Sequence, residues 1–179
     1  MSTSEARASG RVAELREAFD RSFAQAPSTE ATPVEHLLAI RIGADPYALR
    51  MSEVAGLFAD KKVTPLPSAV SELVGIAGFR GAVLPVYDLG MLLGCPRTGA
   101  PRWLVVTAVT PVALAFDAFD GYVGVRSAAI VPASSANARD RHVREAAQFV
   151  DLVRPLISLA SVLEWIRNRA SRDGLDKER

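Results

Sequence analysis

One arginine, Arg80, stands between Phe79 and Gly81 in a stretch from Leu73 to Leu89 that is otherwise apolar enough to be core. A guanidinium in such a place must either pair internally or be aimed at something outside. Asp88 and the carbonyls of the surrounding hairpin are the internal partners on offer. A rigid fork of donors is equally suited to anchor a protein interface. The other reactive side chains assemble no catalytic set. Cys95 is the single cysteine, so it forms no intrachain disulfide, and a packed or half-exposed thiol is its expected state. His36 and His142 are the only histidines, too few and too far apart for a zinc-ligand set. Ser127, Ser134 and Ser135 lack a nucleophile elbow and a histidine partner, because His142 precedes a charged run that reads as helical. Asp117 and Asp120, three apart on a strand, point to opposite faces, which spoils them as a carboxylate pair. Gly75-x-x-Gly78-x-x-Gly81 is neither a phosphate cradle nor a dinucleotide fingerprint, since no helix with Lys-Ser/Thr follows; tight hairpin geometry explains it better. No catalysis, metal or cofactor is expected; binding is.

Composition narrows the partner. Lys and Arg number 21 against 20 Asp and Glu, so no long-range field collects a phosphate backbone, and nucleic acid is disfavoured. Aromatic residues make up only 7% of the chain, and Trp103 and Trp165 lie in runs that read as core rather than as base-stacking platforms. Arg139, Arg141 and Arg144 cluster, but Asp140 and Glu145 dilute them. The apolar run Leu104 to Ala115 is interrupted by Thr and Pro and falls short of the roughly 20 residues a spanning helix needs. The start of the chain has no apolar signal core, and with one cysteine a reducing cytoplasm is the expected location.

These residues need elements to hold them. Val12, Leu15, Phe19 and Phe23, spaced three, four and four apart, predict an amphipathic helix that Pro27 ends, followed by linker composition to Pro33. Its stripe would clamp its own domain, pair with a second copy, or dock a partner. From His36 the pattern changes to short strands. His36 to Ile42 and Tyr47 to Arg50 form a hairpin around Gly43-Ala44-Asp45-Pro46, which Val54 to Phe58 continues. Gly75 to Phe79 and Val83 to Tyr87 form a second hairpin around Arg80-Gly81, and Leu89 to Leu93 one helical turn. After Pro101, Trp103 to Val109 and Val112 to Phe116 pair, and Phe119 to Val125 and Ala128 to Val131 follow. Phe149 to Val153 pairs with Pro155 to Leu159, then Leu159 to Ile166 turns helical and Asn168 to Arg179 frays. Short strands punctuated by Gly and Pro, in clusters before Pro96 and after Pro101, predict two small β barrels sharing an interface.

From roughly His36 to Asn168 the chain resembles the CheW-like domain of bacterial chemotaxis coupling proteins. Ile42-Gly43-Ala44-Asp45-Pro46-Tyr47-Ala48-Leu49 and Thr64-Pro65-Leu66-Pro67 match the family pattern. Val74, Gly75, Gly78, Phe79, Arg80, Gly81, Pro85, Val86, Asp88 and Leu89 follow its Arg-Gly hairpin with spaced Pro-Val-x-Asp-Leu, and Ala115 to Phe119 its second-half element. The resemblance implies a mainly β fold of two five-stranded SH3-like barrels, here flanked by an N-terminal and a C-terminal helix. The implied organisation is residues 1–33 as helix and linker, 34–169 as the domain and 170–179 as a charged tail. It also implies an adaptor without catalysis or cofactor that bridges chemoreceptor cytoplasmic tips to a histidine kinase regulatory domain. Such a protein is recruited to receptor arrays without inserting in the membrane. Arg80, Gly75, Val54, Gly56 and Val83 are the implied partner-binding residues. Two departures bear on specificity: Gly56 stands where the family often has an acidic residue, and Gly78 where it has Asn before Leu-Arg-Gly. Losing a carboxylate changes partner choice. The alternative is an interaction module of a motility or developmental pathway, with Val12, Leu15, Phe19 and Phe23 as the recognition helix or as a homodimer contact.

Overall fold

The structure, a computed structural model, describes residues 33–96, 99–133, 141–149 and 152–176. Val12, Leu15, Phe19, Phe23, Ser134, Ser135 and Arg139 lie outside these residues. The fold is mainly β, with two sheets and few helices. The first sheet holds β1 (Val34–Ile42), β2 (Asp45–Arg50), β8 (Ala118–Arg126), β9 (Ile130–Pro132), β10 (Val143–Gln148) and β11 (Val153–Ile157), in the order β8-β1-β2-β11-β10-β9. The second holds β3 (Val54–Ala59), β4 (Leu73–Phe79), β5 (Ala82–Asp88), β6 (Trp103–Thr107) and β7 (Ala113–Phe116), in the order β3-β6-β7-β5-β4. Helices α1 (Leu89–Leu92) and α2 (Leu159–Asp176) complete it.

Alternation explains why the central strands read as continuous apolar runs. Leu38, Ile40 and Ile42 of β1 and Tyr47 and Leu49 of β2 enter a core shared with Val105, Leu114 and Phe116 of the second sheet. Their neighbours turn the other way: Leu37 and Ala48 join a small cluster with Val125, Ala147 and Leu156. Leu104, Val106, Ala113 and Ala115 join another with Ala77, Phe79, Leu84 and Val86. Successive side chains of one strand thus serve two cores. Each fully buried Leu or Ile contributes about 1.5–3 kcal/mol relative to exposure. Leu159, Val162, Leu163 and Ile166, at helical spacing on α2, close the shared core.

Three expectations are corrected. The sheets do not divide at Pro96–Pro101, because β1 and β2 pair with strands from the end of the chain. Arg41 lies opposite Ala118 and Ala48 opposite Leu156. The strand Val54 to Phe58 does not continue the first hairpin. A 3-10 turn, Met51–Glu53, carries it into the second sheet, where the Glu53 carbonyl accepts from Ala108 N at 2.9 Å and its carboxylate from Leu159 N at 3.3 Å. The run after His142 is strand β10, and the last hairpin pairs β10 with β11. A bulge between Val143 and Glu145 breaks the alternation that would have marked it. Helix α2 also runs on to Asp176, past the last apolar residue of its pattern.

Candidate partner-binding site

The β4–β5 hairpin turns on two residues, Arg80 and Gly81, since Phe79 lies opposite Ala82. Both have positive φ, 47° and 88°, as the two central residues of a type I′ turn must. Glycine or asparagine is the usual occupant of such a position; a long side chain there costs about 1 kcal/mol or more. The turn therefore lifts a solvent-exposed arginine on strained backbone.

Arg80 and Asp88 do not pair. They sit at opposite ends of the hairpin, and β5 runs six residue steps from Ala82 to Asp88, roughly 20 Å of strand. Asp88 is buried and caps α1, accepting from Met91 N at 2.9 Å. Arg80 instead lies over an aromatic ring, with Cζ 6.0 Å from the centre of Phe58. Phe58 meets Phe79 edge-on at 5.0 Å. Lys61 Nζ lies 5.5 Å from the first ring and 5.6 Å from the second, and donates to the Gly78 carbonyl at 3.2 Å.

Two edge strands supply this cluster. Phe58 belongs to β3 and Phe79 to β4, the two ends of the second sheet's strand order. The segment after β3 joins them: Thr64 and Ile76 exchange backbone hydrogen bonds of 2.8 and 2.9 Å. Gly75 makes that approach feasible. A Cβ there would sit 2.1 Å from the Thr64 carbonyl oxygen, and its φ of 151° already favours glycine. Gly75 is thus buried support for the site rather than a contact surface.

The other expected residues fall nearby in different roles. Val54 and Gly56 flank a bulge in β3, opposite Thr107 and Val106, and Val54 packs on the shared core. Gly56 leaves room for Phe58: a Cβ on it would lie 2.9 Å from that ring. Val83 is 67% exposed opposite Gly78, an apolar side chain open to contact. Sequence reasoning missed Phe58 and Lys61. The period-2 spacing of Gly56 and Phe58 was a signal for their shared face, whereas nothing local linked either to Phe79. Cys95 packs half-buried on the shared core, and both tryptophans pack on that core as well. Among the described residues there is no cluster of metal-ligating side chains and no helix long and apolar enough to cross a membrane.

Two sheets over one seam and an arginine-tipped hairpin define a class. The model of the CheW-like domain matches residues 36–167, and the chain belongs to that family. It is 32% identical to Protein FrzA of Myxococcus xanthus over 104 residues, covering 57% of this chain and 64% of FrzA, just under two thirds of that relative's length. The crystal structure of scaffolding protein TtCheW from Thermoanaerobacter tengcongensis aligns with a TM-score of 0.64 at 19% identity, over 70% of this chain and 89% of that one. That likeness establishes the shared fold.

Proposed function

We propose that this protein is a signalling adaptor that couples chemoreceptors to a histidine kinase by binding both, without catalysis. Family membership supports the adaptor class, and one observation carries the choice of surface. Arg80 is exposed at a left-handed turn and, among the described residues, touches the Phe58 ring and no carboxylate. The fold tolerates a strained backbone there and leaves the charge unspent, as an interface anchor requires. Val83 extends the contact, while Val54, Gly56 and Gly75 support and shape it. Each sheet wraps its own small apolar cluster, which we read as the two SH3-like barrels, with 34–169 as the domain. Holding receptor and kinase on different faces fixes a geometry whose activity the receptor shifts. That role places the protein in the cytoplasm at receptor arrays.

The test is co-purification from native cells of a chemoreceptor and a histidine kinase with the tagged wild type and with Arg80→Ala. We expect both partners with the wild type. The variant should keep its unfolding midpoint and lose roughly tenfold or more in capture, the usual scale for an interfacial arginine. Unchanged capture by the variant refutes the surface. Absence of both partners from the wild-type eluate refutes the adaptor reading.

A further inference from the structure

We propose that the paired rings of Phe58 and Phe79 form a platform whose two cations, Lys61 and Arg80, receive the carboxylates of an acidic protein segment, and that Gly56 is the residue that permits it. The proposal rests on the adaptor reading above and names the chemistry of the partner at that site.

Both cations are held by rings and by one backbone carbonyl rather than by acids. Asp60, the acid beside Lys61 in sequence, is turned away on a left-handed backbone, φ 53°, and its carboxylate pairs with Arg102 at 3.1 Å. Among the described residues, two positive side chains, Lys61 and Arg80, lie over the rings, and neither is held by an acid. Ring faces orient a cation without neutralising it, and the remaining N–H groups stay free for a carboxylate. The exposed side chain of Val83 and the bare Gly78 opposite it add an apolar contact beside the charges. An acidic segment with an apolar residue is the complement. The whole chain's near-even charge argues against a nucleic-acid backbone, which needs a wider positive field.

Gly56 controls the platform because Phe58 lies on the same strand face two residues on. A Cβ at residue 56 would come within 2.9 Å of Cε2 and 3.2 Å of Cζ of that ring. Any side chain there swings the ring aside, removing the seat of Arg80 and one of the two seats of Lys61. An acidic one would also neutralise the cations it displaces.

The probe is poly-L-glutamate, titrated into the full chain while amide and aromatic NMR resonances are followed, with poly-L-lysine and a single-stranded DNA oligonucleotide as controls. Poly-L-glutamate should shift Phe58, Gly78, Phe79 and Arg80, and the effect should shrink as salt is added. Lys61→Gln with Arg80→Gln should weaken binding roughly tenfold or more, the scale of a lost charge-assisted hydrogen bond. Gly56→Asp should do the same, and Phe58→Leu, which stays apolar but removes the ring, should weaken it several-fold should Gly56→Asp fail to fold. No shift, shifts elsewhere, or undiminished binding by these variants overturns the proposal. Equal binding of the oligonucleotide at the same residues overturns the choice of an acidic protein. The titration needs neither kinase nor receptor. Its failure beside intact native capture therefore sinks this inference alone, and the reverse pattern sinks the adaptor reading alone.

Discussion

Two clusters of cations, one in each sheet, are used in opposite ways. In the first, Arg154 of β11 is nearly enclosed, 11% exposed, and donates to the carbonyls of Ile40 and Tyr47 at 3.2 and 3.4 Å and to Asp120 at 2.8 Å. Arg41 shares that aspartate at 3.1 Å, and Arg50 bridges Glu35 and Glu145 at 2.9 and 2.8 Å. Burial raises the Asp120 carboxyl, but hydrogen bonds from Arg154 and Arg41 outweigh it and hold the group below the usual range. In the second sheet, Arg80 and Lys61 rest on rings. The ion pair there, Arg102 with Asp60, is about two thirds exposed at both ends. An arginine is structural where a carboxylate lies within its reach and available to a partner where only a ring does. The side chain's chemistry is the same; the neighbour decides its use.

The first sheet has a reason to spend arginine internally. Its β2–β11 joint has a single parallel register pair, Leu156 with Ala48, and Pro155 brings no backbone donor to it. Arg154 reaches across that joint to the carbonyls of Ile40 and Tyr47, register partners in the β1–β2 pairing. Removing it strikes at this role. Arg154→Ala should lower unfolding free energy by roughly 3 kcal/mol, the sum of a partly exposed charge-assisted bond to Asp120 and two bonds to part-buried carbonyls. Urea denaturation reads this, and a loss below about 1 kcal/mol would erase the contrast between the sheets.

A second break is by pH. His142, 2% exposed, precedes β10, and its Nδ1 lies 2.9 Å from Ser161 Oγ on α2 while Nε2 has no partner among the described residues. Burial first, and the Arg141 charge second, push its imidazole down to about 4. The unfolded chain takes up the proton near pH 6.5 and the folded one only near 4, so the unfolded state binds more protons in between. Stability is therefore full above about pH 6.5, falls through the window down to about 4, and levels below it, a loss of at most roughly 3 kcal/mol. His142→Gln should flatten that slope in denaturation series at pH 7.5, 5.5 and 4.5. An unchanged slope would assign the acid sensitivity elsewhere.

The smallest effect sharpens the comparison from the other side. Replacing Lys61 and Arg80 together by Ala should cost about 1–2 kcal/mol or less, the scale for two exposed cations resting on rings. A loss as large as that of Arg154→Ala would make these cations structural and leave the second sheet no different from the first.

Much of this was legible from residue order. The Gly43 and Arg80-Gly81 turns, the helical turn after Asp88 and the pairing of Trp103 to Thr107 with Ala113 to Phe116 follow from turn chemistry and apolar runs. All of these are local, decided within a few residues of chain. Arg80 stood out for the same reason, as a charge in an apolar run. Tertiary structure alone chose which strands share a sheet, because the periodicity of a strand specifies its faces and not its partner. It likewise chose Phe58 over Asp88 as the neighbour of Arg80. The edges of β3 and β4 meet only when the second sheet curls and Thr64 pairs with Ile76. Contacts between residues some twenty positions apart, such as Phe58 and Phe79, depend on that curl, and no spacing in the sequence records it.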